Sequence, residues 1–222
     1  MFIGHFAVAF AAKRAAPAVS LGTLFAAAQL ADLVWPNLVL LGIERVEIAP
    51  GITAVTPLDF VSYPYSHSLL ALLLWGALFA GIHWAVRRGR LLPALVIAGV
   101  VVSHWLLDVL SHRPDMPLAF GAGPLLGLGL WNSIPATVVV ETALFAAGVA
   151  LYARSTRPLD RIGSIGLWGL VGFLMLVYAA NFMGPPPPSP QAVAWVAQSI
   201  WLLVLWGFWI DRHRTTSGPG VR

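Results

Sequence analysis

Residues 91–115 read LLPALVIAGVVVSHWLLDVLSHRPD. An uncharged apolar run that begins at Leu91 ends in a crowd of ionisable side chains. His104, Asp108 and His112 are spaced four apart, and on a helix advancing about 100° per residue each lies only about 40° around from the last. The spacing predicts one polar stripe on an otherwise apolar helix. Ionisable groups inside a membrane span are expensive and face a bundle interior or a water-filled cavity. The stripe therefore reads as half of a metal site.

The rest of the chain supports a membrane setting. Of 222 residues, 59% are hydrophobic and 10% charged, with a mean hydropathy of +0.81, whereas soluble domains carry about a quarter charged residues. The expected fold is all-α: one polytopic helical bundle over residues 1–222, with about six spans, an N-terminal half-span and a loose basic tail over 211–222. There is no cysteine, so any metal must take nitrogen and oxygen ligands and no thiol nucleophile is available. A pI near 10.1 is compatible with nucleic-acid binding, but the basic residues fall in short turns between apolar runs, as membrane orientation requires. No nucleic-acid partner is expected.

In chain order, Met1–Ala12 is apolar but, at about 1.5 Å per helical residue, reaches only about half a bilayer. Lys13 and Arg14 follow it rather than precede it, so it is expected to be retained and not cleaved as a signal peptide. His5 within it reads equally as an interfacial histidine or a ligand. The first full span, Ala18–Leu41, carries Asp32 near its middle, followed by Trp35 and Pro36. Asp32 is either a ligand or proton carrier, or a carboxylate bonded to backbone that Pro36 frees. Residues 44–66 form a long segment expected to fold over the site, leading into Ser66-His67-Ser68.

His67 opens the second span, which ends near Val86. His83 on the same span points about 160° away on a straight helix and is left out of the site. Leu91–Ser111 is the third span, and 113–133 is a Gly- and Pro-rich connector that starts near Asp115. The fourth, Ile134–Tyr152, contains Glu141, read either as a partner for a histidine or arginine or as a ligand or general base. The fifth, Ile165–Phe182, has no ionisable group; Pro185–Pro188 is a stiff connector; the sixth, Ala192–Ile210, is rich in tryptophan. Lys13/Arg14, Arg87/Arg88/Arg90, Arg154/Arg157/Arg161 and Arg212/Arg214 all fall on one side of this six-span arrangement. That side is expected to be cytoplasmic, with the site opening to the opposite face. His5 can then reach Asp32 only if residues 1–12 form a re-entrant half-span.

His5, Asp32, His67, His104 and Asp108 all lie in or at the edge of apolar segments. Neutral imidazoles with carboxylates suit zinc first, and also manganese or iron. A His-x-x-x-Asp pair can grip one ion while the second carboxylate oxygen reaches another, and two ions with few protein ligands leave room for water. The alternative is a set of buried hydrogen-bonded pairs without metal.

Gly4-His5, Asp32 in Gln29-Leu30-Ala31-Asp32, Ser66-His67-Ser68 and Ser103-His104 followed by Asp108 resemble, in order and approximate spacing, the YdjM-like family of inner-membrane-associated metal-dependent hydrolases. That family is itself thought to be related to zinc-dependent phospholipases C and zinc-dependent single-strand nucleases. By this resemblance Asp32, His67, His104 and Asp108 hold one ion and Asp108 bridges to a second held by His5. The soluble relatives hold a further ion through downstream histidines and a glutamate, for which this chain offers His112 and Glu141. They also place a free N-terminal amine on a metal, which the closeness of His5 to Met1 makes conceivable here.

The function expected is a metal-dependent hydrolase of the bacterial inner membrane, cleaving a phosphoester or similar bond in a lipid or lipid-linked substrate, with Asp115 or Glu141 as general base. The competing expectation is a proton-coupled transporter in which Asp32, His104, Asp108 and Glu141 form a relay, although the chain shows no internal repeat of the kind many transporters carry.

Overall fold

The computed structural model describes every residue except 88, 89, 122 and 218–222. Arg88 of the expected basic turn and the last five residues of the expected tail therefore lie outside the described residues. The chain is a helical bundle whose helices, apart from one short turn, are apolar on nearly every face.

Helix α1, Ile3–Ala15, is the buried axis of the bundle: Ile3, Phe6 and Phe10 have no exposed surface. A helix apolar all round is buried on all sides. Phe6 and Phe10 both set their rings edge-on to Phe25, with centroids 5.1 Å apart. Lys13 and Arg14 occupy the last turn, where cations complement the helix dipole. α2 (Leu21–Ala28) and α3 (Leu30–Leu40) follow.

A hairpin of β1 (Arg45–Ile48) and β2 (Leu58–Ser62) leads into a short turn, α4, Pro64–His67. α5 (Leu69–Val86) and α6 (Leu91–Ser111) form a helical hairpin that packs closely at Gly76, where an added Cβ would lie 3.3 Å from the Ala98 carbonyl oxygen. After the small ribbon of β3 (Met116–Pro117) and β4 (Leu125–Leu126), α7 (Ile134–Ser155) runs alongside α1. There an added Cβ on Gly148 would meet the Ala7 carbonyl oxygen at 2.3 Å, so the missing side chain is what lets the two backbones touch. β5 (Thr156–Pro158), α8 (Arg161–Asn181), α9 (Pro190–Ala197), α10 (Ile200–Arg212) and β6 (Arg214–Thr216) complete the chain.

Among the described residues five helices, Leu69–Val86, Leu91–Ser111, Ile134–Ser155, Arg161–Asn181 and the nearly continuous Pro190–Arg212, are long and apolar enough to cross a membrane. A sixth span results if α2 and α3 count as one. Their outward faces leave large side chains such as Leu74, Ile82, Leu95, Val139 and Leu176 more than half exposed. Surface of that kind is compatible with a multi-pass membrane protein.

Three expectations are corrected. The interruption of the first span considered at Pro36 falls instead at Gln29, seven residues earlier, where the chain bends by 52°, and Pro36 sits inside α3. The stripe of residues 104, 108 and 112 loses its last member, because α6 ends at Ser111 and His112 is extended (ψ 154°). The restriction that Pro114 places on Arg113 makes this an unfavourable stretch in which to continue the helix. The tail is not loose over 211–216. Asp211 and Arg212 close α10, and Arg214–Thr216 pairs antiparallel with Thr156–Pro158.

Candidate metal centre

Helix α6 presents His104 and Asp108 inward, both buried. Three other elements converge on them. The amino end of α1 brings His5, whose ring stacks on that of His104 at a centroid distance of 3.7 Å. α3 brings Asp32 in its first turn, and α4 ends with His67. Two sets of side chains could each hold a metal ion: Asp32, His67 and His104, and His5, His104 and Asp108, all ligand atoms within a set lying within 4.8 Å of one another.

His104 belongs to both sets, and the carboxylate that reaches members of both is that of Asp108. Its Oδ2 lies 3.1 Å from His104 Nε2 and 3.9 Å from His67 Nε2, and its Oδ1 lies 3.1 Å from His5 Nε2. Asp32 places Oδ1 3.4 Å from His67 Nε2 and Oδ2 3.9 Å from His104 Nε2. These spacings bracket ~3.4 Å, the edge of a tetrahedron with metal–ligand bonds of about 2.1 Å.

The donor set also has a polarity that fits a cation. His104 Nδ1 donates to the Ala28 carbonyl at 2.7 Å, because a carbonyl oxygen can only accept. In the neutral ring Nε2 then carries a lone pair, and this buried atom has no hydrogen-bond partner despite its closeness to Asp108. A buried lone pair facing two carboxylates is repulsive unless something positive lies between them. The bend at Gln29 explains the Ala28 carbonyl: interrupting the helix leaves carbonyls of the last turn unbonded, and His104 takes one of them.

The ligand atoms differ in access. The side chain of Asp32 is 29% exposed, against 4% or less for His5, His67, His104 and Asp108. Solvent or a substrate therefore reaches the centre along Asp32.

Three residues expected at the centre have other neighbours. His112 belongs to neither set; its Nδ1 sits 2.9 Å from Asp115 Oδ1, and its ring lies 4.3 Å from that of Trp131 and 4.9 Å from that of Phe60. Burial pulls its imidazole below the ordinary value, against the opposing pull of Asp115. Asp115 has both oxygens occupied: Oδ1 also accepts from the Tyr63 hydroxyl at 2.9 Å, and Oδ2 accepts from Arg113 Nε at 3.2 Å. Burial and the neighbouring Asp115 push the Tyr63 phenol well above its usual range, so it remains a donor. Glu141 Oε2 accepts from the backbone N–H groups of Phe2 and Gly4 at 3.0 and 3.3 Å, which makes it the cap of α1.

Further residues contribute to this end of the bundle. Glu44, buried in the segment after α3, accepts from the N–H groups of Tyr65 and Ser66 and from the Ser66 hydroxyl, and Ser66 in turn contacts His67. The Met1 amine lies 2.5 Å from Asp108 Oδ1 and 3.2 Å from Ser111 Oγ. The hairpin folds over this end through Phe60 and Tyr63, and an ion pair between Asp59 and Arg113 ties it to the end of α6. The folding of residues 44–66 over the site is as the sequence led one to expect, and the amine at Met1 is one that the family resemblance singles out, whereas nothing in the sequence marks the role of Glu44. No protein-family model, curated protein or solved structure matches the chain.

Proposed function

We propose that this protein is a membrane-embedded, metal-dependent hydrolase acting on a phosphoester or similar bond in a lipid or lipid-linked substrate. The observation that carries the reading is His104, common to both His/Asp sets, with the lone pair of its Nε2 left facing the Asp108 carboxylate, which itself reaches His5 and His67. Asp32, His67, His104 and Asp108 would hold one ion and His5 with Asp108 a second, with zinc the first choice and manganese or iron compatible with the same nitrogen and oxygen donors. A divalent ion supplies Lewis acidity and brings the pKa of a bound water toward neutrality.

The chain's own residues do the rest. The stacked His5 and His104 rings and the Ala28 carbonyl fix the imidazoles in direction. Buried aromatic and apolar surroundings keep bulk water away, and partly exposed Asp32 lines the approach. A lipid substrate fits a centre whose walls are spans with apolar outer faces. The basic turns give the orientation: they are taken as cytoplasmic, in a bacterial inner membrane, with the centre toward the opposite face. This reading agrees with the resemblance to the YdjM-like hydrolases. The proton-relay reading has one particular weakness, because the oxygen that Glu141 turns toward α1 already accepts two backbone N–H groups.

The test is elemental analysis of detergent-purified protein beside His104→Ala and Asp108→Asn, all washed with the same chelator and resupplied. One or two ions per chain in the parent and none in either variant is the expected result, followed by release of phosphorylated headgroup from a panel of lipids. A parent without metal after resupply, or variants that keep it, would overturn the proposal.

A further inference from the structure

Glu44 and Ser66 lie outside both sets of candidate ligands, yet they are buried, at 2% and 0% exposure, and form a chain that ends on His67. Glu44 Oε1 accepts from the backbone N–H groups of Tyr65 and Ser66 at 2.8 and 2.9 Å. Glu44 Oε2 lies 2.6 Å from Ser66 Oγ, and Ser66 Oγ lies 2.7 Å from His67 Nδ1. Each link has a direction. A carboxylate only accepts, so the single hydroxyl proton of Ser66 goes to Glu44. Toward His67 the hydroxyl then has only lone pairs to offer. Nδ1 must therefore carry the N–H and donate it, and a neutral ring keeps its lone pair on Nε2. That atom faces Asp32 Oδ1 at 3.4 Å and Asp108 Oδ2 at 3.9 Å.

We propose that Glu44, acting through the Ser66 hydroxyl, is the positioning residue that selects the metal-binding tautomer of His67 and aims its Nε2 into the centre. The proposal rests on the metal reading of the site and deepens it. Outer partners of this kind fix the orientation of a ligating histidine and raise its basicity, and their loss typically weakens metal binding 10–100-fold.

Glu44→Gln separates this role from a purely structural one. The amide oxygen can stand where Oε1 stands and keep both backbone hydrogen bonds, so a residue that only capped the turn would lose little. The amide NH2 then stands where Oε2 stood and donates to Ser66 Oγ. The serine proton swings to His67 Nδ1, and Nε2 is left carrying a hydrogen that points at Asp32. Turning the amide over would set its NH2 against two backbone N–H groups, which costs both of those bonds.

The experiment uses full-length protein labelled with 15N-histidine in liposomes, stripped of metal and held at alkaline pH, with the His67 signals identified by their loss in His67→Ala. The 15N shifts are expected to show a protonated Nδ1 in the parent and an unprotonated Nδ1 in Glu44→Gln, with zinc affinity in the variant lower by 10–100-fold. Protonation of Nδ1 in both proteins, or in neither, overturns the proposal. Should Glu44→Gln fail to fold, Ser66→Ala removes the acceptor and leaves the Glu44 backbone contacts; it is expected to lower zinc affinity by a similar factor, and unchanged affinity overturns the relay. A parent that holds no zinc while its tautomer changes as expected would overturn the metal reading and leave the relay standing.

Discussion

The two ends of the bundle each bury a group of charged and polar side chains, and they are built on opposite rules. At the basic end Lys13 donates to the Val19 carbonyl at 2.8 Å and to both oxygens of Asp211 at 3.2 and 3.3 Å. Asp211 also accepts from the Leu21 N–H. Arg214 donates to the Thr156 hydroxyl and carbonyl and to the Gly163 carbonyl, and its guanidinium lies 5.5 Å from the centre of the Tyr152 ring. Each of these charges faces a group of complementary sign or dipole. At the other end Asp108 pairs with the Met1 amine and with His5 Nε2, Asp32 and Asp108 crowd His104 Nε2, and His5 Nδ1 and His104 Nε2 are buried with no hydrogen-bond partner among the described residues. The first arrangement ties α1, α2, α10 and β6 together. The second gathers buried His and Asp side chains that could hold a metal ion.

Asp32→Asn gives this contrast its sharpest test. Losing a charged ligand should weaken metal binding by about 100-fold or more, which is about 2.7 kcal/mol. The asparagine NH2 can at the same time donate to the lone pair of His67 or His104, so metal-free Asp32→Asn should melt at or above the temperature of the metal-free parent. Metal titration and thermal unfolding in detergent after chelator treatment report the two effects separately. A variant that binds metal normally, or whose metal-free form melts well below the parent, would show this end to be held together by its charges in the same way as the basic end.

The basic end should answer in the reverse sense. Asp211→Ala leaves the buried Lys13 charge with only the Val19 carbonyl and takes the acceptor from the Leu21 N–H, and breaking a buried pair costs about 3 kcal/mol. The expected result is a clear loss of melting temperature, with metal content per folded molecule unchanged. Metal lost in proportion to stability would mean that the two ends are one cooperative unit.

Glu141→Gln probes the link between the ends, since Glu141 holds the amino end of the helix that carries both His5 and Lys13. A neutral cap in place of a charged one should cost about 1 kcal/mol. Because it loosens the His5 side alone, the expected change in metal content is confined to the second ion, and the set of Asp32, His67 and His104 should retain its own. Loss of all metal would place His5 at the heart of the centre rather than at its edge.

The features legible in the sequence were the periodic ones. Apolar runs marked the spans, because spanning a bilayer requires length and composition together, and the four-residue step from His104 to Asp108 placed both on one face of α6. His112 shows the limit of that argument: periodicity predicts a direction only while the helix lasts, and α6 stops one residue short. The bend at Gln29 had no glycine or proline at the break to mark it. Its purpose becomes visible only in three dimensions, where His104 collects the carbonyl of Ala28. Glu44 was one acid among several in a polar segment, and a sequence does not show that both oxygens of Asp115, and Oε2 of Glu141, already accept hydrogen bonds.

His83 supplies the smallest effect and closes the comparison. In sequence His83 and His67 are alike, two histidines on the same apolar stretch, yet His67 ends α4 ahead of the extended Ser68 and His83 sits in the last turn of α5. His67 is 3% exposed with a serine against its Nδ1, whereas His83 occupies the last turn of α5 and borders an open cleft with Arg87 and Arg90. A side chain there has no bonded partner to strand among the described residues, and its removal should change stability by no more than about 0.5 kcal/mol. His83→Ala is therefore expected to bind metal within twofold of the parent and to melt at the same temperature. A fall in metal content in this variant would mean that histidines far from Asp108 contribute to binding, and burial opposite a carboxylate would no longer be what separates a ligand from a bystander in this chain.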